Sequence, residues 1–422
     1  MKITVIGLWH LGCVTAACAA TRFRVTGLDE DSAIISGLLS SKPPIFEPGL
    51  DVLIADGLAS GDLSFTTDAA EACGDADILW LCADTPVDEN DRSDTEAVLM
   101  QLRAAMSHFP AGKLVIISSQ LPVGTCARLE AEFPGHHFAC CPENLRLGKS
   151  IEVFTHADRY VVGLRDSGPK DLINSLLSPF TGTIIYMRTE SAEVVKHSIN
   201  SFLALSITFI NEIARVCELS GADAKEVSAG LKSDIRIGQK AYLGPGGPFA
   251  GGTLARDVLT LDDIASAHGE DLVLIRSIKR SNDAHRTWAL RRMKSRLGSL
   301  SGKSVAILGL TYKPGTDTLR RSSAVELCHA LAADRCQVKV YDPVISSRRP
   351  ELGDAVLCHS AREALEGVDA TVLCTEWPEF RNEDWADLAV RMKAPIFIDA
   401  NRYLEKQLVG VEGAELISVG RL

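Results

Sequence analysis

The longest uninterrupted helical pattern in this sequence runs from Thr189 to Ser220. It contains no glycine or proline, and Gly221 follows it directly. Its apolar residues recur at close to the helical period, which is typical of an amphipathic helix: Val194, Val195, Ile199, Phe202, Leu203, Phe209, Ile210, Ile213 and Val216. At the rise of an α-helix this stretch would be about 45 Å long, more than one small domain needs. We therefore predict a helical spine between two α/β domains.

Two polar residues of the spine form a candidate oxidoreductase site. Lys196 and Asn200 are four residues apart, so they share one face of the helix. Glu190 and Glu193 place negative charge in its first turn, where the helix dipole favours it. The alternative is a solvated lysine and a capping asparagine with no catalytic role.

The N-terminal segment has the pattern of a dinucleotide-binding fold. A short apolar strand, Lys2–Ile6, is followed by the loop Gly-Leu-Trp-His-Leu-Gly at 7–12, a helical run and a second strand at 23–28. Asp29 ends that strand, about 20 positions beyond the glycines, where it would accept the ribose hydroxyls. The acidic run at 29–31 favours NAD over NADP because it would repel a 2′-phosphate. Trp9 stands where the fingerprint has its middle glycine, which puts the close backbone contact with the pyrophosphate in question.

Alternating strands and helices fill most of the remaining chain. Further strands are predicted at 77–83, 113–119, 159–164 and 183–187, which together predict one doubly wound domain over residues 1–188. A glycine-rich loop at 244–252 follows the spine. A second alternation has strands at 304–310, 337–341, 370–374 and 395–399. Its first strand leads into a loop carrying Lys313, with Arg320 close behind, which suits an anionic nucleotide held by side chains.

Composition narrows the class of protein. The net charge of -11 argues against a nucleic-acid-binding protein, whose affinity would rest on neutralising phosphates. No apolar run reaches the length of a membrane span, and the chain enters its first strand without a signal peptide. The twelve cysteines form no CxxC pair and suit buried positions in a reducing compartment rather than a metal site. We expect a cytoplasmic protein with no metal, nucleic acid or membrane partner.

Six short motifs carry a resemblance to a known family. They are Pro-Ile-Phe-Glu-Pro-Gly-Leu at 44–50, Leu-Pro-Val-Gly-Thr at 121–125, Pro-Glu-Asn-Leu-Arg at 142–146, Asp-Ile-Arg-Ile-Gly at 234–238, Gly-Thr-Asp-Thr-Leu-Arg at 315–320 and Thr-Glu-Trp-Pro-Glu-Phe-Arg at 375–381. With the Lys196–Asn200 helix, they resemble the UDP-glucose/GDP-mannose dehydrogenase family over essentially the whole chain. Members of this family oxidise the C6 alcohol of a nucleotide sugar to a carboxylate with two NAD.

The resemblance implies an architecture and a set of ligands. The fold class would be α/β, with two Rossmann-like doubly wound domains joined by a long central helix and a helical dimerisation region. The domains would be an NAD-binding domain at 1–188, a central helical domain at 189–298 and a nucleotide-sugar-binding domain at 299–422. The protein would be a homodimer, and a UDP-sugar is favoured over a GDP-sugar as substrate.

The resemblance also implies roles for individual residues. Lys196 and Asn200 would stabilise the developing oxyanion, Asp257 would accept a proton directly or through water, and Glu143 matches the first acid of the Pro-Glu motif. NAD would be held by Gly7, Leu11, Gly12, Asp29, Thr85 and Gln120. The nucleotide sugar would be bound by Arg236, Tyr242, Gly246, Phe249, Gly251, Lys313 and Arg320.

Several catalytic positions depart from the family pattern. Thr253 stands at the position of the nucleophilic cysteine, Arg256 at that of a nearby lysine, Gln120 at that of a threonine and Leu147 at that of a second acid. A threonine hydroxyl does not ionise near neutral pH as a cysteine can, so the thioester half of the mechanism should be missing. We predict a two-electron or cysteine-independent oxidation. Two alternatives stay open: a non-catalytic nucleotide-sugar-binding member, and a two-electron oxidoreductase acting on another phosphorylated substrate.

Overall fold

The computed structural model of this chain describes residues 1–86, 93–143, 145–249 and 252–421. The chain divides into two compact units, Met1–Ile199 and Asn200–Leu422, and the division falls inside the long central helix. Each unit contains one largely parallel β-sheet with helices, so the predicted α/β class with two Rossmann-like domains is confirmed.

The first unit contains an eight-stranded sheet in the order β3-β2-β1-β4-β5-β6-β7-β8, parallel except for the β6–β7 pair. Its strands are β1 Lys2–Ile6, β2 Arg24–Leu28, β3 Leu63–Thr66, β4 Ile78–Leu81, β5 Leu114–Ile117, β6 His137–Cys140, β7 Tyr160–Leu164 and β8 Ile184–Met187. Its helices are α1 His10–Ala20, α2 Ser32–Leu39, α3 Leu50–Ser60, α4 Ala69–Cys73, α5 Thr95–Met106, α6 Thr125–Glu132, α7 Ser150–Thr155 and α8 Lys170–Leu177.

The strand order predicts that a ligand binds beside β1. β1 lies between β2 and β4, so the chain leaves it in opposite directions along the sheet, and a dinucleotide binds at the carboxyl ends of the strands at such a point. The central strands β4 and β5 are buried at every position because helices cover both faces of the sheet.

The central helix α9 spans Thr189–Ser220, as predicted. It ends because Gly221 adopts a φ of +76°, in the left-handed region that glycine enters without strain. The length of α9 follows from an uninterrupted run of residues compatible with a helix, and its end follows from Gly221.

The second unit contains a six-stranded parallel sheet in the order β11-β10-β9-β12-β13-β14. Its strands are β9 Ser304–Leu308, β10 Gln337–Tyr341, β11 Val356–Leu357, β12 Ala370–Leu373, β13 Ile396–Asp399 and β14 Glu415–Ile417. Its helices after α9 are α10 Ala224–Ser233, α11 Gly252–Ala267, α12 Val273–Arg286, α13 Trp288–Leu297, α14 Ser323–Ala333, α15 Ala361–Leu365 and α16 Trp385–Arg391, with 3₁₀ turns at Pro350–Leu352 and Pro378–Asn382.

Four strands were not predicted from the sequence: β3, β6, β11 and β14. Each has four residues or fewer, and three of them are terminal strands of their sheets. Because such short segments carry little periodic signal, the neighbouring strand decides their conformation.

Candidate active site

Close packing in the loop after β1 requires its two outer glycines. Gly7 has a φ of +83°, and a side chain there would overlap the backbone of Ala83, which follows β4. A Cβ at Gly12, in the first turn of α1, would overlap the Gly7 carbonyl. Leu11, the residue before Gly12, is buried. These three predicted cofactor-binding residues therefore shape the loop at the carboxyl end of β1.

Trp9 has a backbone φ that is open to residues other than glycine. It occupies the N-cap of α1 with φ −91° and ψ −143°, and it is 46% exposed. Because that φ lies outside the left-handed region, the conformation does not need glycine. In the described part of the chain no side chain caps α1, so its first N–H groups can face a pyrophosphate. The loop fits a dinucleotide with an indole at its edge.

Asp29 lies at the end of β2 and holds the same loop. Its Oδ2 accepts the N–H of Leu8 at 2.7 Å, and its Oδ1 accepts the N–H of Asp31 at 3.0 Å. A carboxylate has about four lone-pair sites, so these bonds leave capacity for ribose hydroxyls. The geometry fits the predicted role of Asp29 toward NAD.

Glu47 links the glycine loop to another segment, and sequence reasoning found it only as part of a motif. Its buried carboxylate accepts the N–H groups of Gly148 and Ser150 at 2.8 and 2.9 Å, and it lies 3.0 Å from Nε2 of His10. Burial acts to raise the pKa of Glu47, but the hydrogen bonds from Gly148, His10 and Ser150 outweigh it and lower the pKa. Glu47 therefore holds His10, in the glycine loop, against the start of α7.

Thr85 and Gln120, both predicted to contact NAD, lie together. The Thr85 hydroxyl donates to the Gln120 carbonyl at 2.7 Å. The two residues follow the neighbouring strands β4 and β5, whose carboxyl ends lie at one edge of the sheet. Thr85 and Gln120 are 35 positions apart in the sequence, and the structure places them in direct contact.

A pocket in the first unit contains the predicted lysine. It is lined by the loops after β5 and β6 and by α9, including Gln120, Glu143, Glu193, Lys196 and His197. The Lys196 ammonium donates to the Glu143 carbonyl at 2.7 Å and lies 3.2 Å from Glu143 Oε1. An ammonium can donate three hydrogen bonds, and Glu143 accepts two of them. Glu143 therefore aims Lys196 and leaves it capacity to bind a substrate oxygen.

Glu193 was predicted to lie in the first turn of α9, but the acidic residue of that turn is Glu190, and Glu193 binds another helix. Its two carboxylate oxygens accept the N–H groups of Gly124 at 2.6 Å and Cys126 at 2.9 Å, at the N-terminus of α6. Gly124 is the N-cap of that helix and has no side chain to cap it. The nearest sequence signal is spacing, since Glu193 precedes Lys196 by three residues on α9. Glu193 thus joins the lysine helix to the segment that follows Gln120.

In the second unit the predicted amide and base are paired. Asn200 Nδ2 donates to Asp257 Oδ2, and both residues are buried. The hydrogen bond from Asn200 satisfies one oxygen of this buried carboxylate. Thr253 lies in the first turn of α11, one turn before Asp257, and is exposed. Lys196 and Asn200 lie one turn apart on α9, and each contacts one of the predicted acids.

The predicted substrate residues of the 234–242 segment are exposed. Arg236 forms a bidentate pair with Asp234, with Nη2 2.6 Å from Oδ2, and the arginine side chain is 86% exposed. Tyr242 is 58% exposed. Within the described part of the second unit, the Arg236 side chain is paired with Asp234.

The glycine-rich loop before α11 is held by hydrogen bonds to side chains outside it, unlike a plain connector. Gly246 donates its N–H to Asn211 at 3.0 Å, and Phe249 is buried and donates to Asn282 at 3.0 Å. Gly251 lies outside the described residues. The loop is fixed by side chains from α9 and α12.

The second sheet repeats the loop geometry of the first. Asp342 follows β10 as Asp29 follows β2, and it accepts the N–H groups of Leu310 at 2.6 Å and Thr311 at 3.2 Å. Asp342 is buried, and the Trp377 indole also donates to it at 3.0 Å. Sequence reasoning missed this acid. With the carboxylate so engaged, a nucleotide here would depend on other groups of this edge.

Two basic residues of that edge were predicted to bind the nucleotide. Lys313 lies in the loop after β9, and its ammonium is 5.5 Å from the centre of the Tyr312 ring. Arg320 lies further along the same loop region and is exposed. The carboxyl end of β9 is a switch point like that of β1, since β9 lies between β10 and β12.

The described ranges contain neither a cluster of metal-binding side chains nor a helix fit to span a membrane. No group of three or more His, Cys, Asp or Glu residues is placed there to hold a metal ion. None of the helices there combines the length and apolar character of a membrane span. Every cysteine except Cys374 is buried.

The loop at 7–12 lies at a switch point of the sheet, and Asp29 follows the second strand. Together with Lys196 and Asn200 on α9, these features are typical of an NAD-dependent oxidoreductase. Sequence models of the UDP-glucose/GDP-mannose dehydrogenase family match the chain in three parts: the NAD binding domain at residues 1–181, the central domain at 190–284 and the UDP binding domain at 306–406. The chain belongs to this family, and its cofactor is NAD.

Individual relatives are nucleotide-sugar dehydrogenases. The chain is 33% identical to a UDP-glucose 6-dehydrogenase of Rhizobium meliloti strain 1021, covering 100% of both chains. It is 31% identical to one of Bacillus subtilis strain 168, covering 100% of this chain and 98% of the relative. A UDP-glucose dehydrogenase structure from Pyrobaculum islandicum has a TM-score of 0.88 at 30% identity, covering 100% of this chain and 98% of the other.

Proposed function

We propose that this chain oxidises a primary alcohol of a nucleotide sugar with NAD and without a cysteine nucleophile. The observation that carries the proposal is the pair of contacts made from successive turns of α9: Lys196 with Glu143, and Asn200 with Asp257. A UDP-sugar is the favoured substrate. The match to a UDP binding domain and the names of the similar UDP-glucose dehydrogenases support that choice.

The chemistry follows from the charges that the reaction develops. NAD, held by the glycine loop, Asp29 and the Thr85–Gln120 contact, supplies the hydride acceptor. Asp257 accepts the hydroxyl proton, directly or through a water molecule. Lys196 and Asn200 donate hydrogen bonds to the oxygen as negative charge develops on it.

Thr253 limits how far the oxidation proceeds by the family's route. A thiolate would attack the aldehyde and hold it for a second hydride loss, but the threonine hydroxyl has no comparable nucleophilicity. Thr253 lies in the first turn of α11. We therefore propose a single two-electron oxidation that ends at the aldehyde. A second oxidation would have to pass through the hydrated aldehyde.

The stoichiometry of NADH formation tests the proposal. With limiting UDP-glucose and excess NAD, we expect one NADH per sugar, measured by absorbance, and an aldehyde trapped by hydroxylamine. Thr253→Cys should raise the yield toward two because it restores a thiol at the family's position. Thr253→Ser is the matched control and should stay at one.

Two outcomes contradict parts of this proposal. Two NADH per sugar from the unmodified chain would exclude the single oxidation and favour the hydrated-aldehyde route. No NADH from any UDP- or GDP-sugar, with UDP-glucose still bound, would favour a non-catalytic sugar-nucleotide-binding protein. The exposed Trp9 at the cofactor loop is the observation that motivates this second candidate.

The surface of α9 supports a homodimer as a further part of the proposal. Phe202, Phe209 and Val216 recur every seven residues and are 66%, 45% and 58% exposed. An apolar stripe of this kind on a long helix is typical of an interface, and a second copy of the same helix can cover it symmetrically.

Phe202→Glu should weaken the dimer at least about tenfold because it places a charge on the apolar stripe. Sedimentation of the full chain over a concentration series measures the change. Phe46→Glu is the matched control: Phe46 is 75% exposed and lies away from α9 in the sequence. If Phe202→Glu sediments as the unmodified chain does, the stripe is not the interface.

Domain boundaries and location complete the proposal. We propose domains at 1–188, 189–298 and 299–422, supported by the separate family matches at 1–181, 190–284 and 306–406. A cytoplasmic setting is supported by cysteines that are buried as thiols.

A further inference from the structure

The glycine-rich loop before α11 has its backbone bonded to side chains at two successive residues. Gly246 donates its N–H to Asn211 at 3.0 Å, and its carbonyl accepts from His285 Nε2 at 2.8 Å. Gly247 donates its N–H to Asn401 at 2.8 Å, and its carbonyl accepts from Asn211 Nδ2 at 3.2 Å. Both peptide groups are thus fixed in position.

Three of the side chains that hold the loop come from the helices around it. Asn211 lies on α9, and Asn282 and His285 lie on α12; all three are buried. Asn282 accepts the N–H of Phe249 and donates to its carbonyl, each at 3.0 Å. Burial lowers the pKa of His285, which keeps it in the neutral form that donates through Nε2. These contacts fix the loop to the helical core.

Asn401 differs from the others because it belongs to the second sheet. It lies in the turn after β13, and its Nδ2 donates to Glu376 Oε1 at 2.6 Å, in the segment after β12. Arg402 anchors the same turn through two hydrogen bonds to Asp223, at 2.7 and 2.8 Å. Asn401 is therefore the residue through which this sheet edge holds the glycine loop.

This edge is where the second sheet can bind a ligand. β9, β12 and β13 are parallel neighbours, so the loops carrying Lys313, Glu376 and Asn401 all leave their carboxyl ends. The glycine loop leads in sequence to α11, which carries Asp257. Asn401 thus lies at this edge and contacts the loop that precedes, in the sequence, the helix carrying Asp257.

We propose that Asn401 is a positioning residue that sets the glycine loop against the nucleotide-binding edge, so that the hexose of a bound nucleotide sugar reaches the reacting groups. The inference rests on the proposed function, because it takes the ligand to be a nucleotide sugar. It assigns Asn401 to the hexose half of the ligand rather than the nucleotide half.

Gly246 provides an independent test of the same contact. A Cβ built on Gly246 would overlap Oδ1 of Asn401, and the next atoms it meets, Cγ and Cα at 3.0 and 3.8 Å, also belong to Asn401. The φ of Gly246 lies outside the left-handed region, so alanine is compatible with the backbone. Asn401 is therefore the neighbour that an alanine at position 246 would displace.

Titration calorimetry on the full chain, with UDP and with UDP-glucose as probes, measures the effect. Asn401→Ala should weaken UDP-glucose binding about tenfold, as expected for losing fixed hydrogen bonds at a ligand loop, and leave UDP within about twofold. Asn382→Ala removes an exposed asparagine of the same domain and should change neither. Equal losses for UDP and UDP-glucose, or no loss for either, would overturn the proposal.

The double variant separates steric coupling from general damage. Gly246→Ala alone should weaken UDP-glucose binding at least as much as Asn401→Ala, and adding Gly246→Ala to Asn401→Ala should cost little more. Additive losses would contradict the contact. Absence of NADH formation by the unmodified chain, with UDP-glucose still bound, would exclude the proposed oxidation and leave this inference standing. Absence of UDP-glucose binding would overturn both.

Discussion

Lys196→Ala is expected to reduce the rate of NADH formation from a nucleotide sugar by about 10²- to 10³-fold, the usual effect of removing one donor from a developing oxyanion. The proposal assigns stabilisation of the oxyanion to the Lys196 ammonium, which donates a hydrogen bond to the Glu143 carbonyl at 2.7 Å. The methyl side chain of alanine has no charge and donates no hydrogen bond, so it cannot replace the ammonium. Initial rates at saturating NAD, followed by absorbance, measure the loss.

The control for Lys196→Ala separates catalysis from binding and folding. Lys225→Ala breaks an exposed ion pair with Glu405 and should leave the rate within about twofold. UDP-glucose affinity of Lys196→Ala should stay within a few-fold of the unmodified chain, since the substitution removes a contact to the reacting oxygen. A rate for Lys196→Ala close to that of Lys225→Ala would exclude Lys196 from the chemistry.

Asp257→Asn should lower kcat by about 10²- to 10⁴-fold, which is the range for losing a general base. Asparagine has nearly the same volume, and its carbonyl oxygen can still accept from Asn200, so the buried contact survives without the basic carboxylate. The substitution therefore removes the basic carboxylate while it keeps the Asn200 hydrogen bond, and the thermal midpoint reports any effect on folding.

The matched control for Asp257→Asn is Asp263→Asn on the same helix. Asp263 is exposed, so its replacement should leave both kcat and the thermal midpoint unchanged. The midpoint of Asp257→Asn should also stay within a few degrees. A large fall in midpoint with a matching fall in rate would mean that Asp257 stabilises the fold, and the base would have to be sought elsewhere.

Local signals were sufficient for the longest elements. The bounds of α9 could be predicted because its apolar residues have a helical period, the segment contains no glycine or proline, and Gly221 stops it. Strands such as β1 and β10 are continuous apolar or alternating runs. β6 is different: it has four residues and pairs with β5 on one side and, antiparallel, with β7 on the other, and that pairing is what makes it a strand.

The candidate site divides in the same way. Residue type and spacing along one helix pointed to Lys196 and Asn200 together. The partners of buried acids were not predictable: Glu193 binds α6 from 67 and 69 residues away, and Glu47 binds the start of α7 from 101 and 103 residues away. Asp342 belongs to none of the six motifs, and its partners, the Leu310 and Thr311 N–H groups and the Trp377 indole, lie 31 to 35 positions away in the sequence.

The sequence by itself determined the family, the two sheet domains, the central helix and the lysine–asparagine face. Those features depend on periodicity, glycine positions and short motifs, which are properties of neighbouring residues. Only the tertiary structure decided that Glu143 aims Lys196, that Asn200 holds Asp257 and that Asn401 fixes the glycine loop. Such contacts join residues far apart in the chain, and the cost of burying an unpaired polar group, which selects them, arises only once the chain has folded.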